Sequence, residues 1–186
     1  MLTREQIIGN LKRLGELLLA RGMQGELLLT GGAAMCLVHS ARDMTKDIDA
    51  LYEPKEIING LAKQIAEEAG LPADWLNDSV KGFVEPGATV EAFRTFEGLT
   101  VTVVSAHYLL AMKLMSARGG TDTSDIRFLM RKLNIQSADE AWEILTSYYQ
   151  PERVLPKTVY LIEECLQDTD EPEESAKQTN GTVFQL

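Results

Sequence analysis

Four residues between positions 31 and 49 carry the chemistry this chain could do: Gly31 and Gly32 closing an apolar run, then Asp47 and Asp49 with Ile48 between them. In an extended strand, side chains two apart share a face and sit roughly 7 Å apart. The two carboxylates therefore aim together and Ile48 aims into the core. Carboxylates converging on one face raise each other's pKa unless a cation sits between them. Magnesium, a hard cation that prefers oxygen ligands, resolves that conflict, and paired metals in phosphoryl-transfer sites lie about 3.5 to 4 Å apart. The glycines complement the aspartates, because residues without a Cβ let backbone N–H groups approach phosphate oxygens where a helix begins. Taken singly, the glycines also read as a turn and the aspartates as a solvated strand edge; together they suggest phosphate on the loop and metal on the carboxylates.

These residues need elements to hold them. Thr3 and Gln6 form a capping box ahead of a helix in which Ile7, Leu11, Leu14 and Leu18 recur at helical spacing, ending near Gly22. The run Gly25–Thr30 reads as a buried strand stopped by the glycine pair, and Ala33–Ser40 as two helical turns. Lys46–Glu53 alternates as a strand that includes both aspartates; Pro54 ends it and opens an amphipathic helix closed by Gly70. Leu71–Phe83 reads as a capped short helix anchored by Trp75. Two alternating segments, Thr89–Phe96 and Leu99–Ser105, flank Glu97-Gly98 as a hairpin. From Ala106 onward the pattern turns helical, in four segments, the third opened by a Ser137/Glu140 capping box. The expected architecture is α/β of the α+β kind: a mixed β-sheet packed on helices, in a single domain over 1–167 with a sheet-containing part, 1–105, and a helical part, 106–167. Residues 168–186 form an acidic tail poor in core residues, expected to be disordered.

Composition narrows the function classes. The net charge is −10, and the tail's five acids against one lysine leave −6 on the rest of the chain. That balance argues against sequence-independent nucleic-acid binding, which needs phosphate-neutralising cations. No apolar run approaches the roughly 20 residues that cross a bilayer, so no membrane association is expected. The N-terminus lacks a secretion-signal pattern, and Cys36 and Cys165 lie far apart within apolar patterns, which points to a reduced, cytoplasmic setting.

The segment "LLTGGAAMCLVHSARDMTKDID" resembles the signature of the DNA polymerase β-like nucleotidyltransferase superfamily: a strand, Gly-Gly or Gly-Ser, a short helix, then Asp-x-Asp. Its lead-in, "RDMTKDID" with Arg42 and Thr45, is similar to the bacterial subgroup that includes AbiEii-like abortive-infection toxins and uncharacterised relatives. The later "LLAMKLMSARGGTDTSDIRFL" matches that subgroup's lysine, arginine and two aspartates three apart, here Lys113, Arg118, Asp122 and Asp125. The resemblance spans roughly Leu27 to Leu133. It implies a nucleotidyltransferase fold and transfer of a nucleoside monophosphate from a nucleoside triphosphate to an RNA or protein acceptor, with a toxin–antitoxin role and an antitoxin-like partner as an extension. It implies Gly31, Gly32, Arg42 and Thr45 with Lys113 for the nucleotide, and Asp47 with Asp49 for magnesium, manganese being the alternative. Catalysis would fall to Asp47, Asp49 and Lys113, with Asp125 first and Asp122 second for acceptor activation. Two departures stand out: Gly32 where the family often has serine, and a strand, Leu99–Ser105, without the third carboxylate the wider superfamily carries. Glu91 or an aspartate of the helical half would have to supply it. The alternative is a catalytically degenerate member acting as a nucleotide- or partner-binding module.

Each candidate also has a structural reading. Lys113 can snorkel along apolar surface, Asp122 and Asp125 sit where helix caps and first-turn acids belong, and Arg42 can simply pair with an acid. His39 and His107 lack metal-ligand spacing; Cys36, Trp75 and Trp142 read as packing residues.

Overall fold

The computed structural model describes residues 1–116 and 121–167. Arg118 and the acidic tail from Asp168 onward lie outside the described residues, so the readings placed on them stand as sequence expectations. Helix α1 (Arg4–Leu19) begins with the expected capping box: the Thr3 hydroxyl accepts from Gln6 N at 3.3 Å and the Gln6 side chain accepts from Thr3 N at 2.9 Å. Ahead of it, β1 (Leu2–Thr3) pairs antiparallel with β3 (Met44–Thr45), a two-residue ribbon too short to show a sequence period.

The main sheet has five strands in the order β5-β4-β2-β7-β6. Its centre is β2 (Gly25–Leu29), antiparallel to β4 (Ile48–Glu53) on one side and parallel to β7 (Leu99–Val104) on the other. The outer strands are β5 (Leu76–Asn77), parallel to β4, and β6 (Val90–Phe96), antiparallel to β7 through the turn Glu97-Gly98. Period-two alternation buries Leu27 and Leu29, Ile48 and Ala50, and Leu99, Val101 and Val103 on one face. That face packs on α1 and on α3 (Lys55–Ala69), whose Ile58 meets α1's Leu18 above Gly25. Asp49 and Leu51 alternate onto the opposite face, which is only half-buried.

Two expectations are corrected here. Leu71–Phe83 is no helix: Trp75 is fully buried and its indole N–H donates to Ala62 O at 2.8 Å, while the chain around it forms β5 and a 3-10 turn, Ser79–Gly82. Pairing with β4 outweighs a local helical preference spread over too few residues to nucleate. Asp47 also lies outside the strand, in a bend just before β4 begins at Ile48.

The helical half is α4 (Ala106–Ser116), α5 (Thr121–Lys132), α6 (Ala138–Tyr148) and α7 (Lys157–Gln167). Helix α4 is the hub, in contact with the other three, and Tyr108 through Met112 and Leu114 are all buried. A helix buried nearly all round tolerates a charge only where a partner waits for it. Helix α6 keeps half of its expected box: Ser137 Oγ accepts from Glu140 N at 3.2 Å, but the Glu140 carboxylate turns to Gln136 N at 2.8 Å. No helix among the described residues is long and apolar enough to cross a membrane.

Candidate functional site

The glycine pair and the aspartate pair interlock. Helix α2 (Gly31–Leu37) starts at the first glycine, two residues earlier than the sequence pattern suggests. Gly31 has φ +54°, and a Cβ there would sit 2.9 Å from Asp49 Oδ2. A Cβ on Gly32 would fall inside 3.0 Å of Thr45 Oγ1 and 3.3 Å from Arg42 Nη1. Each glycine thus yields its side-chain space to a group on the segment that carries the aspartates. Fully buried Thr30 seals the junction, its N–H and its hydroxyl both donating to Asp49 O at 3.0 Å.

Gly32 therefore leaves no room for a serine hydroxyl, because the buried Thr45 hydroxyl already stands in that space. Thr45 Oγ1 donates to Asp47 O at 3.2 Å and so holds the bend that presents Asp47. Asp47 and Asp49, both half-buried, line the same cleft although only Asp49 is in the strand.

The opposite wall comes from the helical half. Lys113, the one Lys, Arg, Asp or Glu in α4, has its Nζ 2.5 Å from Asp122 Oδ1 and 2.9 Å from Asp125 Oδ2. Asp125 also takes an ion pair from Arg42, which ties α5 to the loop ahead of the aspartates. That hydrogen bond is the chief cause that raises the Arg42 pKa above the ordinary guanidinium value, with burial opposing it. Helix α5 starts early enough that Asp122, read from the sequence as a cap, lies in its first turn, and Asp125, expected in that turn, lies further along and is only 3% exposed.

These segments enclose a cleft of about 520 Å³, lined by Gly31, Gly32, Arg42, Thr45, Asp47, Asp49, Lys113 and Asp122. Every site residue inferred from the sequence is there except Asp125, which stands behind the wall and holds Arg42 and Lys113. Glu91 is exposed on the edge strand and takes no part, so the third carboxylate does not come from β6. Among the described residues, no group of three or more His, Cys, Asp or Glu side chains comes together as a metal site.

The sequence reading missed Thr30, Lys46, Ser79 and an apolar wall of Val80, Phe83, Leu109 and Met112. Lys46, between Thr45 and Asp47, could have been found by adjacency to the motif. The apolar residues could not, since in sequence they are indistinguishable from core. His39 lies outside the cleft, its pKa lowered chiefly by burial and next by Lys132; His107 is exposed. Cys36 and Cys165 are buried thiols outside any disulfide, and burial raises the Cys36 pKa. Trp142 is half-buried against the core. No family model, no curated protein and no solved structure matches the chain.

Proposed function

We propose that the cleft binds a nucleoside triphosphate and transfers its nucleoside monophosphate to an acceptor hydroxyl. The observation that carries this reading is convergence: a loop without side chains, three carboxylates (Asp47, Asp49 and Asp122) and three cations (Arg42, Lys46 and Lys113), from segments as far apart in sequence as Gly31 and Asp122, line one cavity of ligand size.

The donor set fits magnesium. Asp47 and Asp49 offer oxygen alone, and among the described residues no lysine, arginine or histidine lies within ion-pair distance of Asp47, whereas Asp122 is already paired. Magnesium is commonly held by one or two carboxylates plus substrate phosphates and water, so a third protein carboxylate is not required. Bound there, the ion would supply charge stabilisation for the phosphoryl oxygens. The backbone of Gly31-Gly32 would lie along the phosphates, with Lys113 and Arg42 offsetting charge on the leaving pyrophosphate. In the transfer, the acceptor oxygen bonds to the α-phosphorus, the bond from that phosphorus to the bridging oxygen breaks, and the hydroxyl proton must leave. Asp122, which faces the cleft, is better placed to receive that proton than Asp125, whose role is to orient the two cations.

A second reading, a binding module without catalysis, draws support from Lys113, which two carboxylates already engage. Thermal melts with magnesium and each nucleoside triphosphate test the first step: stabilisation requiring both components is expected, and no shift with any nucleotide would sink the nucleotide reading. Labelled nucleotide incubated with total RNA and with cell protein then separates enzyme from binding module. It would also tell an RNA acceptor from a protein one, and with it whether a toxin–antitoxin role is worth pursuing.

A further inference from the structure

We propose that the apolar wall of Val80, Phe83, Leu109 and Met112 seats the ligand's planar base, Phe83 being the residue that stacks on it. This rests on the nucleotide reading above and deepens it. The cleft is two-sided: charged and backbone groups along Gly31–Asp49 and at Lys113, and an apolar side whose open surface comes mainly from half-buried Phe83, with the nearly buried Val80 and Met112 beside it and fully buried Leu109 backing it. A polyphosphate by itself would engage the first side and leave the second wet, whereas a ligand with a flat apolar face gains by covering it.

The segment carrying Phe83 is fastened more firmly than an ordinary loop. The Phe83 carbonyl accepts from Tyr149 Oη at 2.6 Å and from Tyr108 Oη at 3.3 Å, and Glu85 N donates to Tyr108 Oη at 2.7 Å. Both tyrosines are buried, and their rings lie 6.2 Å apart and nearly parallel. Burial, followed by the Tyr108 contact, pushes the Tyr149 phenol pKa well up, so it stays a donor. Arg153 pairs with Glu85 and clamps the same segment from outside. Buried tyrosines must spend their hydroxyls on a partner; spending two on one carbonyl fixes the residue that faces the cleft. The short hydroxyls of Ser79 and Ser116 are the uncharged polar side chains toward this end of the cleft, so stacking outweighs reading of base edges, and discrimination among bases is weak.

Calorimetric titration of the full chain with magnesium–ATP, magnesium–UTP and magnesium–tripolyphosphate tests this. Both nucleotides should bind roughly ten- to a hundredfold more tightly than tripolyphosphate. Phe83→Ala should bring them down to the tripolyphosphate affinity and leave that affinity unchanged. Phe83→Leu keeps most of the buried volume if the alanine variant fails to fold, and should show the same selective loss. Tyr149→Phe, a positioning variant, should weaken nucleotide but not tripolyphosphate. Equal affinity of the native chain for nucleotide and tripolyphosphate, or a Phe83 variant that weakens both alike, would overturn the base wall while leaving the phosphate site standing. Binding of neither ligand would overturn the wall and the nucleotide reading together.

Discussion

The two walls of the cleft are built on different physics. On the sheet side, Gly31-Gly32 and Asp47-Asp49 fit by exclusion of volume: Asp49 and Thr45 occupy the space where two side chains would otherwise be. On the helical side, Lys113, Asp122 and Asp125 fit by charge, joined by Arg42 from the loop ahead of β3, with Asp125 shared between two cations and nearly sealed from water. Steric exclusion tolerates no added atom but is indifferent to salt and pH. A charge cluster tolerates shape changes but not the loss of a partner, because the remaining charge stays buried and uncompensated.

The sharpest way to break that contrast is Asp125→Ala. It should cost about 3 kcal/mol, since Arg42 loses its partner and Lys113 keeps only Asp122, and the midpoint of thermal unfolding should drop by about 10 °C. A near-neutral result would mean that the cluster is not structural. Next comes Gly32→Ala, expected to cost about 1 to 3 kcal/mol by overpacking against Thr45. Adding Thr45→Ala should recover part of that loss in a double-mutant cycle; strictly additive costs would show that the two residues do not share the space. Asp47→Asn should change stability by no more than about 0.5 kcal/mol, yet remove the magnesium-dependent part of the nucleotide-induced thermal shift. Retention of that part would place the metal elsewhere.

The smallest effect belongs to His39, outside both walls, where burial lowers the imidazole pKa below its ordinary 6.5. Below that value the unfolded chain binds the proton more readily than the folded one. The stability present above about 6.5 is therefore lost as pH falls through the depressed folded-state value. In His39→Leu the fall in unfolding free energy between neutral and mildly acidic pH should be shallower, and an unchanged slope would assign the titration to another group.

Elements with a strong period were legible: α1 from its capping box and leucines, α3 between Pro54 and Gly70, and the hairpin about Glu97-Gly98. The segment around Trp75 was not, because its form depends on β4 offering a strand edge, a partner far from it in sequence. Asp47 shows the same limit at one residue. Strand spacing put it on one face with Asp49, but β4 begins only at Ile48; Asp47 reaches the same cleft from a bend held by the Thr45 hydroxyl, which no periodicity reports.

Residue chemistry and local spacing were enough to mark the glycine loop and the two aspartates, since unusual residues stand out against an apolar pattern, whereas Lys113 was marked by the family resemblance and by itself read equally as a snorkelling lysine. Only the tertiary structure could decide that Gly32 makes way for Thr45, that Asp125 holds cations behind the wall while Asp122 faces the cleft, and that Val80, Phe83, Leu109 and Met112 line a cavity. The reason is physical. Which face a side chain presents follows from its own strand or helix, but whether that face meets packed atoms, a charge or an open cleft is set by elements distant along the chain.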